Sequence, residues 1–443
     1  MNPRLFDALL WSMLAVTAMA VLWLLTRNVL AIPSHVPLDP NEGWNAAHAI
    51  GATLYPPPQS LMVNNYPPLS FYLIHALVRH GGDPVIAGRW VSLAAFLGTG
   101  VGLAAVLRLL DCGASAIALA ILFLAAVLLI ASDYVGMNDP QLLGHALQIA
   151  ALFLLLRERP VASALLFAAS LFIKHNLLAL PLASAAWLIL LDRRAGLEFL
   201  FWSIAFVLAG LIAFQLGFGF GLLDQLASPR LWSFTNLAGA VSHLWWMLLP
   251  AAAMAGLWPD RTSLLAALYG AVALMLGLVF AAGDGVDANA FFDLAIALSL
   301  GLGLGVERGR WPIVAAAALV PLLLFLGLRY HDNNYFFTKS FAAESGRDIA
   351  FLKARPGPVL CDQLSLCLWA GKPAEVDVFN IGEQIKTGAR DPRPLAEMIA
   401  GKHFAVLQLQ EPDSLGPVVG AAIRKNYRAD HTGDNGAFLT PLP

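Results

Sequence analysis

The sequence predicts an all-α polytopic membrane protein with a small α/β domain at its C-terminal end. Of its 443 residues, 58% are hydrophobic and only 13% are charged, whereas soluble domains carry roughly 25% charged residues. Several apolar runs reach the roughly 18 residues that a membrane-spanning helix needs. The net charge of −2 gives no reason to expect nucleic acid as a partner, so the lipid bilayer is the partner that the composition indicates.

The apolar runs predict about eleven transmembrane helices. The first run, at about residues 9–26, shows no cleavage-site pattern, so we expect it to be an uncleaved first helix. The fifth and sixth runs are short and meet at the segment "IKHN". The runs after the first cover approximately residues 85–107, 114–131, 139–156, 161–173, 176–191, 196–219, 238–257, 262–282, 289–306 and 311–328.

The distribution of arginine among the turns predicts the orientation. With a cytoplasmic N-terminus, the turns "LRLLDCG", "LRERP", "LDRRAG", "WPDRTS" and "VERGRWP" are cytoplasmic, and all of them contain arginine. The opposite turns carry only two cations, Lys174 and Arg230. Because cytoplasmic loops are enriched in Lys and Arg, we expect a multi-pass protein of the plasma (inner) membrane. Its N-terminus would be cytoplasmic and its C-terminus extracytoplasmic.

The composition changes at about residue 329, which predicts two domains. Residues 1–328 form the transmembrane domain, with a first outer loop at 27–84, and residues 329–443 form a small α/β extracytoplasmic domain. The second part contains 13 of the 27 Lys and Arg residues. Within it, "GPVLCDQ" and "HFAVLQLQ" are typical of short buried strands, and "RDIAFLKAR" and "PLAEMIA" are typical of helices.

The three cysteines are too few for a disulfide framework. Cys361 and Cys367 both fall in the predicted outer domain, where an oxidising compartment permits a disulfide. Two buried thiols, one on a strand and one on a helix, are the alternative.

Polar residues are concentrated at one end of the predicted spans. Such residues are costly at membrane depth and usually face a cavity or a partner. Their distribution therefore predicts one water-filled cavity at the outer face and gives no sign of a path through the bilayer. The residues are Asp39, Glu42, Asp139, Lys174, His175, Asp284, Asp287 and Asn289.

The first outer loop places two carboxylates close together, followed by a helix-like segment. Asn41 is a plausible helix cap and Glu42 would lie in the first turn, where a carboxylate suits the helix dipole. His48 lies one turn after Trp44 on the same segment. The carboxylates are either catalytic groups at the cavity or ordinary capping residues.

The cationic residues have two interpretations as well. Lys174 and His175 lie on the side where positive charge is disfavoured, so they favour an anionic ligand such as a phosphate or a carboxylate. Arg89, one turn inside the next span, either binds an anion or extends its charge to the interface. Asp139 is a cavity residue or a helix cap. Asn289 follows a turn that either contacts substrate or only reverses the chain.

The ordered segments "DPNE", "GATLY", "NYPPLSFYL", "GRWVSL", "NDPQLLGHAL", "IKHNLLALPLA" and "GVDANAFF" resemble those of the lipid-dependent GT-C glycosyltransferases. That superfamily includes the protein O-mannosyltransferases and the aminoarabinose transferases. The resemblance covers about residues 5–330 and implies a GT-C-like fold. Family members often carry an adjacent Asp-Glu pair in the first outer loop. Here Asp39 and Glu42 are three residues apart, so the identity of the base stays open.

The resemblance implies a cell-envelope transferase that moves a sugar from a polyprenyl phosphate to a glycan, lipid or protein acceptor, with inversion. Asp39 or Glu42 would be the base, and Lys174, His175 and Arg89 would bind the donor phosphate. The substrate cavity would include Asp139, Tyr66, His48 and Asn289. No cofactor is certain. A divalent metal is possible, and Asp39, Glu42 and Asp139 would be its ligands. A secondary transporter and a non-catalytic membrane scaffold are the alternatives.

Overall fold

The structure is a computed structural model. It describes residues 3–130, 134–219, 221–242, 244, 247, 250–251, 260–309, 315, 317–336, 339–411 and 413–443.

The membrane region is mostly helical in its described residues, with non-helical loops and one isolated bridge between Trp232 and Gly283. In chain order its helices are α1 (Pro3–Ala31), α2 (Pro40–Ile50), α3 (Leu69–Val78), α4 (Pro84–Leu109), α5 (Ala114–Ile130), α6 (Gln141–Leu156), α7 (Pro160–Ile173), α8 (Ala179–Leu191), α9 (Arg193–Phe218), α10 (Gly221–Leu226), α11 (Phe234–Ser242), α12 (Arg261–Ala281), α13 (Phe292–Glu307) and α14 (Leu319–Phe336). A 3₁₀ turn, Ala288–Phe291, precedes α13.

Five of these helices are long and apolar enough to cross a membrane: α1, α4, α9, α12, and α13 together with its 3₁₀ turn. Most of the shorter apolar helices also match predicted runs closely, because loop residues such as Pro and Asp bound the apolar segments. The protein is therefore a multi-pass membrane protein with the predicted all-α membrane region. α13 lies at its centre and is buried over nearly its whole length.

Two predicted spans are described only in part. Of the run 238–257, the structure describes the end of α11 up to Ser242 and residues 244, 247 and 250–251; the rest lies outside the described part of the chain. Of the run 311–328, residues 311–314 and 316 lie outside the described part of the chain; residues 315 and 317 are helical, and α14 is described from Leu319. α14 then continues to Phe336, so the predicted domain boundary at 328 falls inside this helix.

The C-terminal region is the predicted α/β domain. Its helices are α15 (Lys339–Ala354), α16 (Leu364–Trp369), α17 (Val378–Lys386), α18 (Arg393–Ala400) and α19 (Gly416–Asn426). Its strands are β1 (Val359–Cys361), β2 (Val406–Leu409), β3 (Tyr427–Gly433) and β4 (Gly436–Pro441). They form one sheet in the order β1-β2-β4-β3, parallel between β1 and β2 and antiparallel elsewhere.

A disulfide joins Cys361, at the end of β1, to Cys367 on α16, which confirms the predicted pairing. The same helix packs against α2 of the first outer loop. Gly43 makes this approach possible, since a Cβ on it would lie 2.1 Å from the backbone nitrogen of Ser365. The C-terminal domain is therefore docked directly on the loop that carries the predicted carboxylates.

Candidate active site

A cavity of about 490 Å³ lies where the first outer loop, the α7–α8 turn, the α12–α13 turn and α17 meet. Four residues that the sequence predicted for the site line it: Tyr66, Lys174, His175 and Asn289. The cavity is bounded by both the membrane region and the C-terminal domain. Further polar lining residues are Asn41, Asn65, Tyr134, Asn176, Ser228 and Arg230.

Lys174 follows the last residue of α7 and is buried at the cavity wall. Its Nζ lies 3.3 Å and 3.4 Å from the two carboxylate oxygens of Asp139 and 4.8 Å from the centre of the Tyr66 ring. Burial alone would lower the pKa of Lys174, but Asp139 and Tyr66 outweigh it and raise that pKa above its ordinary value. Lys174 is therefore a fixed cation, paired with Asp139, which does not itself line the cavity.

Arg230 is a second cation in the cavity, and the sequence analysis did not assign it to the site. Its guanidinium lies 5.4 Å from the centre of the Phe379 ring, and its Nη1 is 3.4 Å from the carbonyl oxygen of Asp284. The signal that could have identified it was its position. Arg230 and Lys174 are the only Lys or Arg residues in the short outer turns predicted after the first outer loop.

His175 is exposed to the cavity, but the surrounding protein displaces most of the bulk water around the ring. This desolvation, together with the positive charges of Lys174 and Arg230, lowers the pKa of His175 to about 4. The imidazole is therefore neutral near pH 7. It can exchange a hydrogen bond with a ligand there but contributes no charge.

Asp39 is half-buried and caps α2, since its Oδ1 accepts a 2.8 Å hydrogen bond from the Asn41 backbone nitrogen. The predicted cap, Asn41, instead lies inside the helix, because Pro40 begins it. Burial raises the pKa of Asp39 to about 7; the Asn41 bond opposes the rise, and the negative charges of Glu42, Asp139 and Asp287 add to it. A carboxylate that titrates near 7 suits a general base.

Glu42 and Arg89 form a fully buried ion pair. Arg89 Nε donates to Glu42 Oε1 and Arg89 Nη2 to Glu42 Oε2, each at 2.7 Å. Its remaining hydrogen bonds go to the carbonyl oxygens of Ala31, Ile32, Ser34 and Val36. With its donors directed to these groups, the guanidinium has none directed into the cavity.

The Glu42 carboxylate likewise accepts its hydrogen bonds from groups within the protein. Besides Arg89, it accepts hydrogen bonds from the backbone nitrogens of Leu38, at 3.0 Å, and Asn138, at 3.1 Å. Those two residues directly precede Asp39 and Asp139. The geometry therefore makes Glu42 and Arg89 a structural pair that fixes the two segments carrying these aspartates, and it argues against the roles of base and phosphate ligand.

His48 is also placed away from the cavity, contrary to expectation. Its Nε2 lies 3.0 Å from the Val63 carbonyl oxygen, and its ring packs edge-on against Trp44 at 4.6 Å. Burial lowers the pKa of His48 to about 4, so the ring is a neutral core residue of the first outer loop.

A second cavity, of about 590 Å³, adjoins the first and shares with it the turn at Gly283, Gly285 and Val286. Its described lining is mostly apolar, and Asp284 and Asp287 also line it. Asp39 is close enough to both Asp139 and Asp287 for their charges to affect its pKa. Asp39 is linked to the first cavity through Asn41, which lines that cavity and whose backbone nitrogen donates to the Asp39 carboxylate.

The structure does not assemble the predicted metal ligands into a site. Among the described residues, no group of three or more His, Cys, Asp and Glu side chains is arranged to hold a metal ion. Glu42 and Asp139 are paired with Arg89 and Lys174, respectively.

Comparison with known structures identifies the architecture. The apo structure of ArnT from Cupriavidus metallidurans aligns with a TM-score of 0.59 at 13% sequence identity, and the structure of that ArnT bound to undecaprenyl phosphate aligns with 0.58 at 14%. Each alignment covers 96% of this chain and 97% of the ArnT chain. The chain has the GT-C fold. It is the fold that the ordered sequence segments predicted, and it extends over the C-terminal domain as well. No family model and no curated protein matches the sequence.

Proposed function

We propose that the protein is a membrane glycosyltransferase that moves a sugar from a polyprenyl-phosphate donor to an acceptor hydroxyl. One observation carries the proposal: in a GT-C fold, the buried cation Lys174 and the guanidinium of Arg230 line one cavity together with Asn41, whose backbone nitrogen donates a hydrogen bond to the Asp39 carboxylate. The ArnT structure with undecaprenyl phosphate supports a polyprenyl-phosphate lipid as the partner. The arginine-rich turns support an inner-membrane protein with this site on the outer face.

The cationic cavity binds the donor phosphate in this proposal. Lys174 and Arg230 neutralise the phosphate, and they stabilise the negative charge that grows on it as the bond to the sugar breaks. His175 contributes a neutral hydrogen bond. Because the phosphate is a good leaving group, the reaction needs little acid catalysis.

Asp39 is the general base. As the acceptor oxygen forms its bond to the anomeric carbon, Asp39 takes the hydroxyl proton and the bond from that carbon to the phosphate oxygen breaks. The products are the glycosylated acceptor and the polyprenyl phosphate. A single displacement of this kind inverts the anomeric carbon. The second cavity shares the 283–286 turn with the first and is the proposed entry for a glycan, lipid or protein acceptor.

The direct test is transfer by purified protein supplied with synthetic polyprenyl-phosphate sugars and a mixture of envelope acceptors. Release of polyprenyl phosphate together with a captured glycosylated product would support the proposal. A folded protein that transfers no lipid-linked sugar to any acceptor, and catalyses no donor hydrolysis, would refute it.

Removing the Lys174 charge is expected to weaken donor binding. Lys174→Gln keeps a hydrogen-bonding group beside Asp139 but loses the cation, and a charged hydrogen bond contributes about 1.5–3 kcal/mol. We therefore expect the donor Kd to rise by roughly 10- to 150-fold. Lys425→Gln, an exposed lysine on α19, is the matched control and should leave the Kd unchanged.

Titration of the donor with each variant in detergent measures this effect. Thermal unfolding of the same samples separates lost binding from lost folding. A Lys174→Gln protein that is folded and binds the donor like wild type would contradict the assignment of Lys174 to the phosphate.

The pH dependence of the reaction should follow Asp39. Because the base acts when deprotonated and the pKa of Asp39 is raised to about 7, kcat/KM should rise with pH through that value and level off above it. A profile measured from roughly pH 5.5 to 8.5 would include this limb. A flat profile over that range would exclude a base with a raised pKa.

A further inference from the structure

The charges that line the first cavity, the proposed site of the donor phosphate, limit which sugars the donor can carry. Of its described lining residues, Lys174 and Arg230 are the cations, and none is an Asp or a Glu. Asp139 already offsets the charge of Lys174 from behind, at 3.3 Å. One net positive charge therefore remains, which matches the single negative charge of a sugar–phosphate–polyprenyl diester.

We propose, on the basis of the proposed function, that the transferred sugar is uncharged and that Phe379 of the C-terminal domain is a specificity-determining residue that packs against it. A protonated amine on the sugar would find no carboxylate among the described lining residues, so its charge would be buried there without a partner. Asp284 and Asp287 line the adjoining cavity, and Asp39 must stay available for the acceptor proton.

The polar groups around the cavity suit hydroxyls better than charges. Four asparagines line it: Asn41, Asn65, Asn176 and Asn289. An amide both donates and accepts hydrogen bonds, as a sugar hydroxyl does.

Phe379 supplies the apolar surface. It is 37% exposed, although its neighbours Val378 and Asn380 are buried, and it lines the cavity. The edge of its ring meets Gly285, where an added Cβ would lie 2.2 Å from Cζ and where φ is +66°. Only glycine fits both constraints. The ring therefore reaches the turn that separates the two cavities, and its face can contact the C–H groups of a sugar ring.

The contacts of α17 with the membrane region hold Phe379 in place. The Asp377 carboxylate accepts a 2.8 Å hydrogen bond from Trp44 Nε1. The Asn380 side chain accepts one of 3.1 Å from Asn65, and Glu383 accepts one of 3.0 Å from the Leu231 backbone nitrogen. These bonds tie α17 to both sides of the cavity. Because α17 is fixed in this way, Phe379 does not move aside for a sugar that fits poorly, and it can therefore discriminate between sugars.

The experiment compares two donors that differ in one group. Purified protein receives polyprenyl phosphate carrying either a neutral hexose or the corresponding amino-hexose, each with the acceptor mixture described above. We expect kcat/KM for the neutral donor to exceed that for the amino-sugar donor by about a hundredfold. In Phe379→Ala, the donor KM should rise about tenfold while the acceptor KM stays unchanged.

Val418→Ala is the matched control, since Val418 is a 47% exposed apolar residue on α19 of the same domain. Phe379→Leu keeps an apolar side chain, so it separates the loss of the aromatic face from the loss of bulk, and it should also raise the donor KM. Equal use of the two donors, or an unchanged donor KM in a folded Phe379→Ala protein, would overturn this inference alone. Transfer of neither donor would instead refute the proposed function.

Discussion

Asp39→Asn is expected to reduce turnover by about 10²–10⁴-fold, the usual cost of losing a general base, while the protein stays folded. Asparagine keeps a side-chain oxygen that can accept the hydrogen bond from the Asn41 backbone nitrogen, so α2 keeps its cap. It cannot take a proton from the acceptor hydroxyl. The substitution therefore separates the two roles that Asp39 has in the structure.

Asp192 offers a matched control for the capping role. It caps α9 through hydrogen bonds from the backbone nitrogens of Arg194 and Ala195, and its side chain is exposed. Asp192→Asn should leave both turnover and unfolding temperature near wild type. Turnover of Asp39→Asn should be measured at saturating donor and acceptor, in membranes with equal amounts of folded protein. Near-normal turnover would mean that Asp39 only caps α2 and that the base lies elsewhere.

Sequence patterns predicted the fold well wherever apolar runs were bounded by turn residues. α4, α5 and α7 lie within about two residues of their predicted bounds for this reason. The hairpin of β3 and β4 was missed, because β3 is exposed at most positions and lacks an alternating apolar pattern. A strand of this kind is defined by its pairing with β4 and by the pairing of β4 with β2. Neither pairing can be predicted from the pattern of one segment.

The candidate site was predicted less well, because a sequence does not reveal which charges neutralise each other. Glu42 and Arg89 are 47 residues apart and both suggested catalysis or ligand binding, yet they form a buried pair. Lys174 and Asp139 likewise meet only through the packing of α6 and α7. Arg230 was noted only as an outer cation, and Phe379 was not singled out. Phe379 lines the cavity because the C-terminal domain docks there, and Arg230 lies 5.4 Å from its ring centre.

Glu42→Gln is expected to destabilise the protein more than it impairs the chemical step. The substitution leaves the buried Arg89 guanidinium without its counter-charge. Breaking a buried ion pair in this way typically costs about 3–5 kcal/mol. The result should be a large fall in the unfolding temperature in detergent. Turnover per folded molecule should fall less than in Asp39→Asn, because Glu42 acts on the site only through the segments that it holds.

A double-mutant cycle with Arg89→Gln tests whether the two residues act as one unit. Coupled residues give a combined loss smaller than the sum of the single losses, since the second substitution removes a charge that the first had already left unpaired. Asp391 and Arg393 form an exposed ion pair on the C-terminal domain, with Arg393 Nη2 2.6 Å from Asp391 Oδ2. Asp391→Asn is therefore the control and should leave the unfolding temperature unchanged. Additive losses for Glu42 and Arg89, or a stable Glu42→Gln protein that has lost turnover as completely as Asp39→Asn, would restore Glu42 as a candidate for the base.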